Sequence, residues 1–272
     1  PRDLELIERK ARYEAAAGAA TEILDAAELR RRAPYLSPAL AGAGFCPVEG
    51  KANPLVAAPT FARAARDAGA RLLRKQPVLD IGSDGDGYCL RTPDAQLRAR
   101  RVVIAAGAGT AALSSLPGID RLGIEAAPIQ VSVTEPMAPF IEPLLYYARA
   151  PLTMKQTGAG TVVIGGGWPA RYDARKRPIP DAHSLGQNLA LALEVVPALA
   201  KVTLMRTWAA TVNGTRDWKP IIGELPGARG VYLAYVPWMG FTGSLAAARI
   251  AASQVQGKAA ETDLCTEAFA PR

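Results

Sequence analysis

The stretches VVIAAGAGT (102–110) and VYLAYVPWMGFTGS (231–244) decide the fold. Each is a short apolar run that enters a turn of glycines and other small residues. The core Val102-Val103-Ile104-Ala105-Ala106, set between the arginines 98, 100 and 101 and Gly107, reads as a strand buried on both faces of a parallel sheet. The second stretch reads as a strand at Val231–Tyr235, a loop over Val236–Gly240 and a helix from about Ser244 to Gln256, ended by Gly257. A small-residue turn after a buried strand lets a ligand approach the main chain. Where a helix follows, its free N–H groups and positive end favour phosphate or another electron-rich group. Taken singly, such a junction is more often packing than a nucleotide site.

Working outward, Asp25-Ala-Ala-Glu28 predicts a capped short helix that Pro34 ends, and Asn53-Pro54 starts a longer one to about Ala68. Leu4–Tyr13 mixes charged and apolar residues at a spacing open to helix or strand. Strands are predicted at Gln76–Ile81 and Tyr88–Thr92 around the turn 83–87, with Leu97–Ala106 as the strand that follows. Ile129–Thr134, Thr161–Gly165 and Val202–Ala210 are further strands, with a helix at about Ser184–Leu199. His183 precedes that helix, with Asp181 or Ser184 as its cap. Strands mixed with helices in this order give an α/β fold, α+β in part.

Composition excludes several functions. At 272 residues, 49% hydrophobic and 21% charged, the chain is globular rather than disordered. The excess of 32 Lys+Arg over 25 Asp+Glu is spread along the sequence. Arg98, Arg100 and Arg101 read as solvated charges beside a buried strand, without the aromatic interleaving of a nucleic-acid surface. One histidine, His183, argues against a multi-histidine metal site or a histidine-based triad, so no metal is expected. Cys46, Cys89 and Cys265 lie far apart and suit a reducing compartment. Residues 102–119 carry no charge, but glycine, proline and hydroxyl residues interrupt them, so no transmembrane segment is expected. The charged opening PRDLELIERK does not read as a signal peptide, which makes the expected location cytoplasmic, with peripheral membrane attachment as the variant reading.

Five segments in order resemble the D-amino-acid-oxidase-type family of FAD-dependent oxidoreductases, which includes glycine and sarcosine oxidases and amino-acid dehydrogenase subunits. They are GKANPLVAAPTFARAARDAGA (50–70), VLDI (78–81), RVVIAAGAGT (101–110), RTWAATVNGTRDWKPIIGELP (206–226) and GVYLAYVPWMGFTGSLAAARIAASQVQGK (230–258). The resemblance implies a Rossmann-like FAD-binding domain from 41–115 and 215–272. An antiparallel-sheet substrate domain from 1–40 and 116–214 would be interleaved with it. It implies flavin contacts at Val78, Ala105, Ala106, Gly107, Ile222, Gly240, Phe241 and Thr242, and a substrate pocket with Tyr147, Trp208, Trp238 and Met239. Trp208 and Trp238 would offer π faces to an amine.

The implied reaction is oxidation of the C–N bond of an amine, imino acid or amino acid, with hydride passing to flavin and water hydrolysing the imine. It singles out no catalytic acid or base, and a partner subunit or quinone is the implied electron sink. Such families open on a strand–G-x-G-x-x-G–helix unit. The chain has no such opening, which predicts a fragment lacking roughly a hundred residues, its first βαβ unit among them. The alternative is a non-catalytic or truncated subunit of an oxidoreductase complex. Val212 stands where glycine oxidases of the family carry a carboxylate-gripping arginine, and Thr242 where sarcosine oxidases carry a lysine. Poor activity on free glycine or sarcosine is therefore expected.

Overall fold

The computed structural model describes residues 2–113, 116, 118–260 and 262–271. Five α-helices cover α1 Arg2–Ala16, α2 Ala26–Arg32, α3 Pro54–Asp67, α4 Ala182–Val195 and α5 Gly240–Val255. The strands begin with β1 Glu22–Asp25, β2 Gly42–Phe45, β3 Asp80–Asp84, β4 Gly87–Arg91, β5 Gln96–Ala99, β6 Val102–Ile104 and β7 Ile124–Pro136. They continue with β8 Leu145–Tyr146, β9 Thr153–Gln156, β10 Thr161–Gly165, β11 Arg171–Tyr172 and β12 Pro178–Ile179. The last are β13 Leu204–Thr215, β14 Ile221–Glu224 and β15 Val231–Tyr235. The fold is mixed α/β, and no helix among the described residues is long and apolar enough to cross a membrane.

Backbone contacts divide the chain into two units, each made of two segments. One holds the residues up to Asn53 with Pro128–Ala210; the other holds Pro54–Ala127 with the residues from Thr211 onward. The second and third crossings fall within β7 and β13.

In the first unit, the segment open to helix or strand is helix α1, which lies against the antiparallel pair β1–β2. A Cβ at Gly44 of β2 would come within 2.8 Å of Ile7 Cγ2, so the glycine-rich strand is what lets the helix sit this close. Backbone contacts group residues 41–53 with this unit, Gly42–Phe45 being paired to β1, whereas the sequence grouped them with residues 54–115. The Asp25 carboxylate caps α2 by accepting from the Glu28 N–H at 2.8 Å. The main sheet has the antiparallel order β13-β7-β10-β9-β8, with α4 packed on β10. Met154, Val162 and Ile164 meet Ala192, Val195 and Val196 in its core. Alternate residues of β7 bury a polar row whose members are all satisfied. Gln130 exchanges hydrogen bonds with the Asp181 main chain, Ser132 pairs with Thr207 at 3.0 Å, and Thr134 Oγ1 accepts from Val162 N. The helix predicted to Leu199 stops at Val195, because Pro197 forces Val196 out of helical geometry (φ −128°, ψ 83°) and a 3-10 turn follows. His183 lies inside the first turn of α4, which Asp181 caps at 2.9 Å from Ser184 N.

Three carboxylates of this unit are held below the ordinary range: Glu14 by Lys10 and Thr21, Glu22 by the paired Arg32, and Asp173 by the Arg177 backbone and side chain. A depressed folded-state pKa contributes stability above the unfolded value, lost as pH falls through the folded value. The thermal midpoint is therefore expected to stay level above about pH 5 and to fall below about pH 4. Glu22→Gln combined with Asp173→Asn should shallow that fall in a pH series of melts. An unchanged acid limb would contradict the assignment.

In the second unit, β3-β4-β5 form an antiparallel meander, and β14-β15-β6 form a mixed sheet with β6 parallel to β15. Ile81, Tyr88, Val102, Ile104, Leu225, Val231 and Leu233 share one buried cluster, and α5 covers Ile222 with Ala247, Ile250 and Ala251. Tyr88 ties the meander to the loop before β15 by donating to the Arg229 carbonyl at 2.8 Å.

Four expectations need correction here. The predicted strand 97–106 is two strands, broken at Arg100 and Arg101. Val103 is 45% exposed, because it points to the face of β6 opposite the buried Val102 and Ile104, and that face is not packed over at Val103 among the described residues. The strand expected at Gln76–Ile81 instead runs Asp80–Asp84, since the turn uses only Gly85 and Asp86. Arg101 is not simply solvated: its guanidinium donates to the Val255 carbonyl at 2.6 Å, a cation on the negative end of α5. The uncharged run 102–119 is split between β6 and 3-10 turns, with Ser114, Ser115 and Pro117 outside the described residues.

Candidate functional site

The two glycine turns meet at one end of one sheet. β6 and β15 are parallel, with Val102 opposite Val231 and Ile104 opposite Leu233, so both chains leave the sheet at the same carboxyl edge. In open α/β sheets that edge is where ligands bind. From β6 emerge Ala105 and Ala106, both exposed, and Gly107, whose φ of 53° begins a 3-10 turn. From β15 emerge Val236–Met239 and then α5. Antiparallel β14 starts at the same edge, since Ile221 lies opposite Tyr235.

α5 opens earlier than its sequence suggests, so Gly240, Phe241 and Thr242 form its first turn rather than the loop before it. Met239 is the N-cap residue and supplies no side-chain hydrogen bond, which leaves the first-turn N–H groups facing outward from the positive end of the helix. Nothing lies within 4 Å of where a Cβ at Gly107 or Gly240 would project. Thr110, wholly buried in the turn after β6, has a hydroxyl without a partner. Open space beside two main-chain turns, uncapped donors and an orphaned hydroxyl fit a planar group with hydrogen-bond acceptors along its edge, such as a flavin.

The loop after β15 is braced by the end of β13. Trp238 N donates to Asn213 O at 2.9 Å, and Asn213 Nδ2 donates to Val236 O at 3.0 Å. Tyr235, 1% exposed, donates its hydroxyl to Gly214 O at 2.9 Å, and burial pushes its phenol up. The ring of Trp238 meets that of Trp218 edge to face, with centroids 5.3 Å apart at 65°. Both tryptophans have left-handed backbones, φ 62° at Trp218 and 56° at Trp238. For a bulky residue this costs on the order of 1–3 kcal/mol, and such strain concentrates at functional sites.

Of the residues expected at a site, Ala105, Ala106, Gly107, Trp238, Met239, Gly240, Phe241 and Thr242 thus come from two neighbouring strand ends. Ile222 is 3% exposed with its side chain packed beneath α5, so only its main chain is available to a ligand. Val78 precedes β3 rather than standing in a strand, and its side chain packs on the unit's core. Tyr147 and Trp208 belong to the other unit: Tyr147 packs against its core, and Trp208 on β13 is 36% exposed. Trp218 and Thr110 escaped the sequence reading. The one signal for Trp218 was a large aromatic among charges in Arg216-Asp217-Trp218-Lys219. Among the described residues no group of three His, Cys, Asp or Glu could hold a metal.

A sequence profile described as "FAD dependent oxidoreductase" matches residues 1–254. Glycine oxidase of Geobacillus kaustophilus is 29% identical over 199 residues, covering 72% of this chain and 51% of that protein. An opine oxidase subunit from Rhizobium meliloti is 27% identical over 244 residues, 89% of this chain and 62% of that one. Among solved structures, L-proline dehydrogenase from P. horikoshii superposes with a TM-score of 0.90 at 25% identity, covering 99% of this chain and 73% of the other. The chain spans about half the length of the glycine oxidases it matches.

Proposed function

Because the chain belongs to the FAD-dependent oxidoreductase family, we propose that this protein oxidises the C–N bond of an amine, imino acid or amino acid with FAD as cofactor. The meeting of two small-residue turns at the carboxyl edge of β6 and β15, with the uncapped α5 beside them, carries the reading. Bound flavin would supply the hydride acceptor, the part of the chemistry that side chains cannot perform. The chain's own groups bind and orient. Main-chain N–H groups of Gly240, Phe241 and Thr242 would face the electron-rich edge of the ring, and Ala105, Ala106 and Gly107 give it flat access to the backbone. Val78 and Ile222 would contribute main-chain contacts, and Trp238 and Met239, on the loop after β15, would contact the substrate. The relatives' names, oxidases and a dehydrogenase, support an enzyme over a non-catalytic subunit.

Val212 and Thr242 carry no positive charge to grip a carboxylate. A charge-assisted hydrogen bond of about 1.5–3 kcal/mol is absent at each, so free glycine and sarcosine should bind roughly tenfold to a hundredfold more weakly than in a site with such an anchor. Substituted amines and cyclic imino acids are the proposed substrates, in keeping with the opine oxidase and L-proline dehydrogenase likenesses. The opine oxidase and sarcosine oxidase relatives are subunits, which supports a partner chain; that partner or a quinone is the proposed electron acceptor.

The test is the visible spectrum of the protein expressed from its whole reading frame, followed by a dye-acceptor screen of glycine, sarcosine, proline, hydroxyproline and opine-type amines. Flavin absorbance and turnover of substituted amines are expected. Gly107→Val, which fills the open face and strains φ, should reduce flavin content about tenfold or more. A well-folded protein without flavin absorbance would sink the proposal.

A further inference from the structure

Resting on that reading, we propose that Trp218 and Trp238 form a preset aromatic corner that selects substrates bearing an apolar or aromatic substituent on an amino-acid frame. The two rings are exposed, 62% for Trp218 and 38% for Trp238, yet neither is loose. Trp218 N donates to Thr215 O at 3.3 Å, and Thr215 Oγ1 closes the same turn by donating to Lys219 O at 3.1 Å. Asn213 braces the Trp238 loop in the same way from the same strand. Two large apolar side chains are thereby held at 5.3 Å on left-handed backbones, a conformation that glycine or asparagine would adopt with less strain. Folding alone does not call for tryptophan at either position. A fixed aromatic surface at the ligand edge of a sheet does.

Its setting specifies the ligand. Met239 and Phe241, 45% and 53% exposed, follow Trp238 in sequence into the first turn of α5. Two packed, exposed indoles favour a hydrocarbon or aromatic group over a small polar one. Beside Trp218 in sequence stand Arg216, Asp217 and Lys219, and Arg216 lies 3.7 Å from Glu125 while staying 86% exposed. The two exposed cations, Arg216 and Lys219, can meet a carboxylate on the ligand. An N-substituted amino acid combines the two features, its substituent on the indoles and its carboxylate toward the basic residues.

N-benzylglycine and glycine are the probes, with the flavin-loaded protein from the whole reading frame. Trp218→Gly removes the ring and relaxes the backbone; Trp218→Phe keeps an aromatic ring. The ratio of kcat/KM for N-benzylglycine to that for glycine is expected to fall about tenfold or more in W218G and to stay within about threefold of wild type in W218F. Anaerobic calorimetric titration with N-benzylglycine should show a matching rise in Kd for W218G alone. An unchanged ratio, or an equal loss on both substrates, overturns the corner while the oxidoreductase reading stands. If the wild type oxidises no amine but W218G still raises the Kd for N-benzylglycine, the oxidoreductase reading falls and the corner stands. If the wild type fails to bind N-benzylglycine, or W218G changes only the oligomeric state, the corner is overturned.

Discussion

Gln156→Leu is expected to destabilise the protein by about 2–5 kcal/mol. The residue ends β9, is 4% exposed, and its side-chain amide is a hub for main-chain groups that have no strand partner. Its Oε1 accepts from Phe140 N at 2.8 Å and Ile141 N at 3.0 Å; its Nε2 donates to Ala138 O and Gly160 O, each at 3.0 Å. Leucine fills similar space but leaves two N–H donors and the Ala138 carbonyl facing an apolar wall, while Gly160 O keeps its bond from Met137 N at 3.0 Å; each buried unsatisfied group costs about 1–3 kcal/mol. Against a total stability of roughly 5–15 kcal/mol this is a large fraction. Chemical denaturation read by circular dichroism checks it. Gln156→Glu, which retains both acceptor contacts, should lose less than the leucine variant. A leucine variant within about 1 kcal/mol of wild type would show that water satisfies the loop instead.

The second large effect concerns GGG at 165–167. Gly166 has a φ of 127°, and a Cβ there would come within 2.6 Å of Leu152 N and Pro151 C. Both are backbone atoms and cannot swing aside. Gly166→Ala therefore combines conformational strain with overpacking, about 2–6 kcal/mol together. Gly186→Ala is the matched control. Gly186 lies exposed inside α4 with nothing within 4 Å of its added Cβ, so alanine there should stabilise by about 0.5–1 kcal/mol. Opposite shifts in the denaturation midpoint are expected from the same chemical change. Equal shifts would refute the steric account. The glycine triplet is thus a packing device between strand and loop, not a phosphate cradle.

How legible these features were depended on whether the deciding force was local. Thr161–Gly165 and Val231–Tyr235 fall where the sequence put them, because an apolar β-branched run bounded by turn residues carries its own signal. The start of α5 did not, because Gly240 and Gly243 are poor helix formers, and Gly243 answers a tertiary demand. A Cβ at Gly243 would lie 2.9 Å from Val236 Cγ1, so only glycine lets the helix fold back on its own loop. The exposure of Val103 was also invisible, since the apolar pattern of β6 does not say whether a strand or a helix covers each face. At the site, both glycine turns could be read, but their adjacency depends on the parallel register of two strands about 130 residues apart, which no local pattern encodes. Trp218 was hidden for a different reason. Tryptophan does not announce a left-handed backbone, and its charged neighbours made the loop look merely solvated.

The threading of the two units has a consequence for synthesis on the ribosome. The chain leaves the first unit after Asn53, returns at Pro128 and leaves again after Ala210. The first unit can close once β13 has emerged, while α3, the meander and β6 have already waited, exposed, for their remaining partners. β15, the central strand of their sheet, and α5 are translated after β13, so the second unit lacks them for a further interval of about 2–8 s at ordinary elongation rates. During that interval the edge of β6 that β15 covers in the folded chain is available to chaperones or to a neighbouring nascent chain. A nascent chain whose emerged part ends between 215 and 231 would thus hold β13 but lack the central strand of the second unit's sheet.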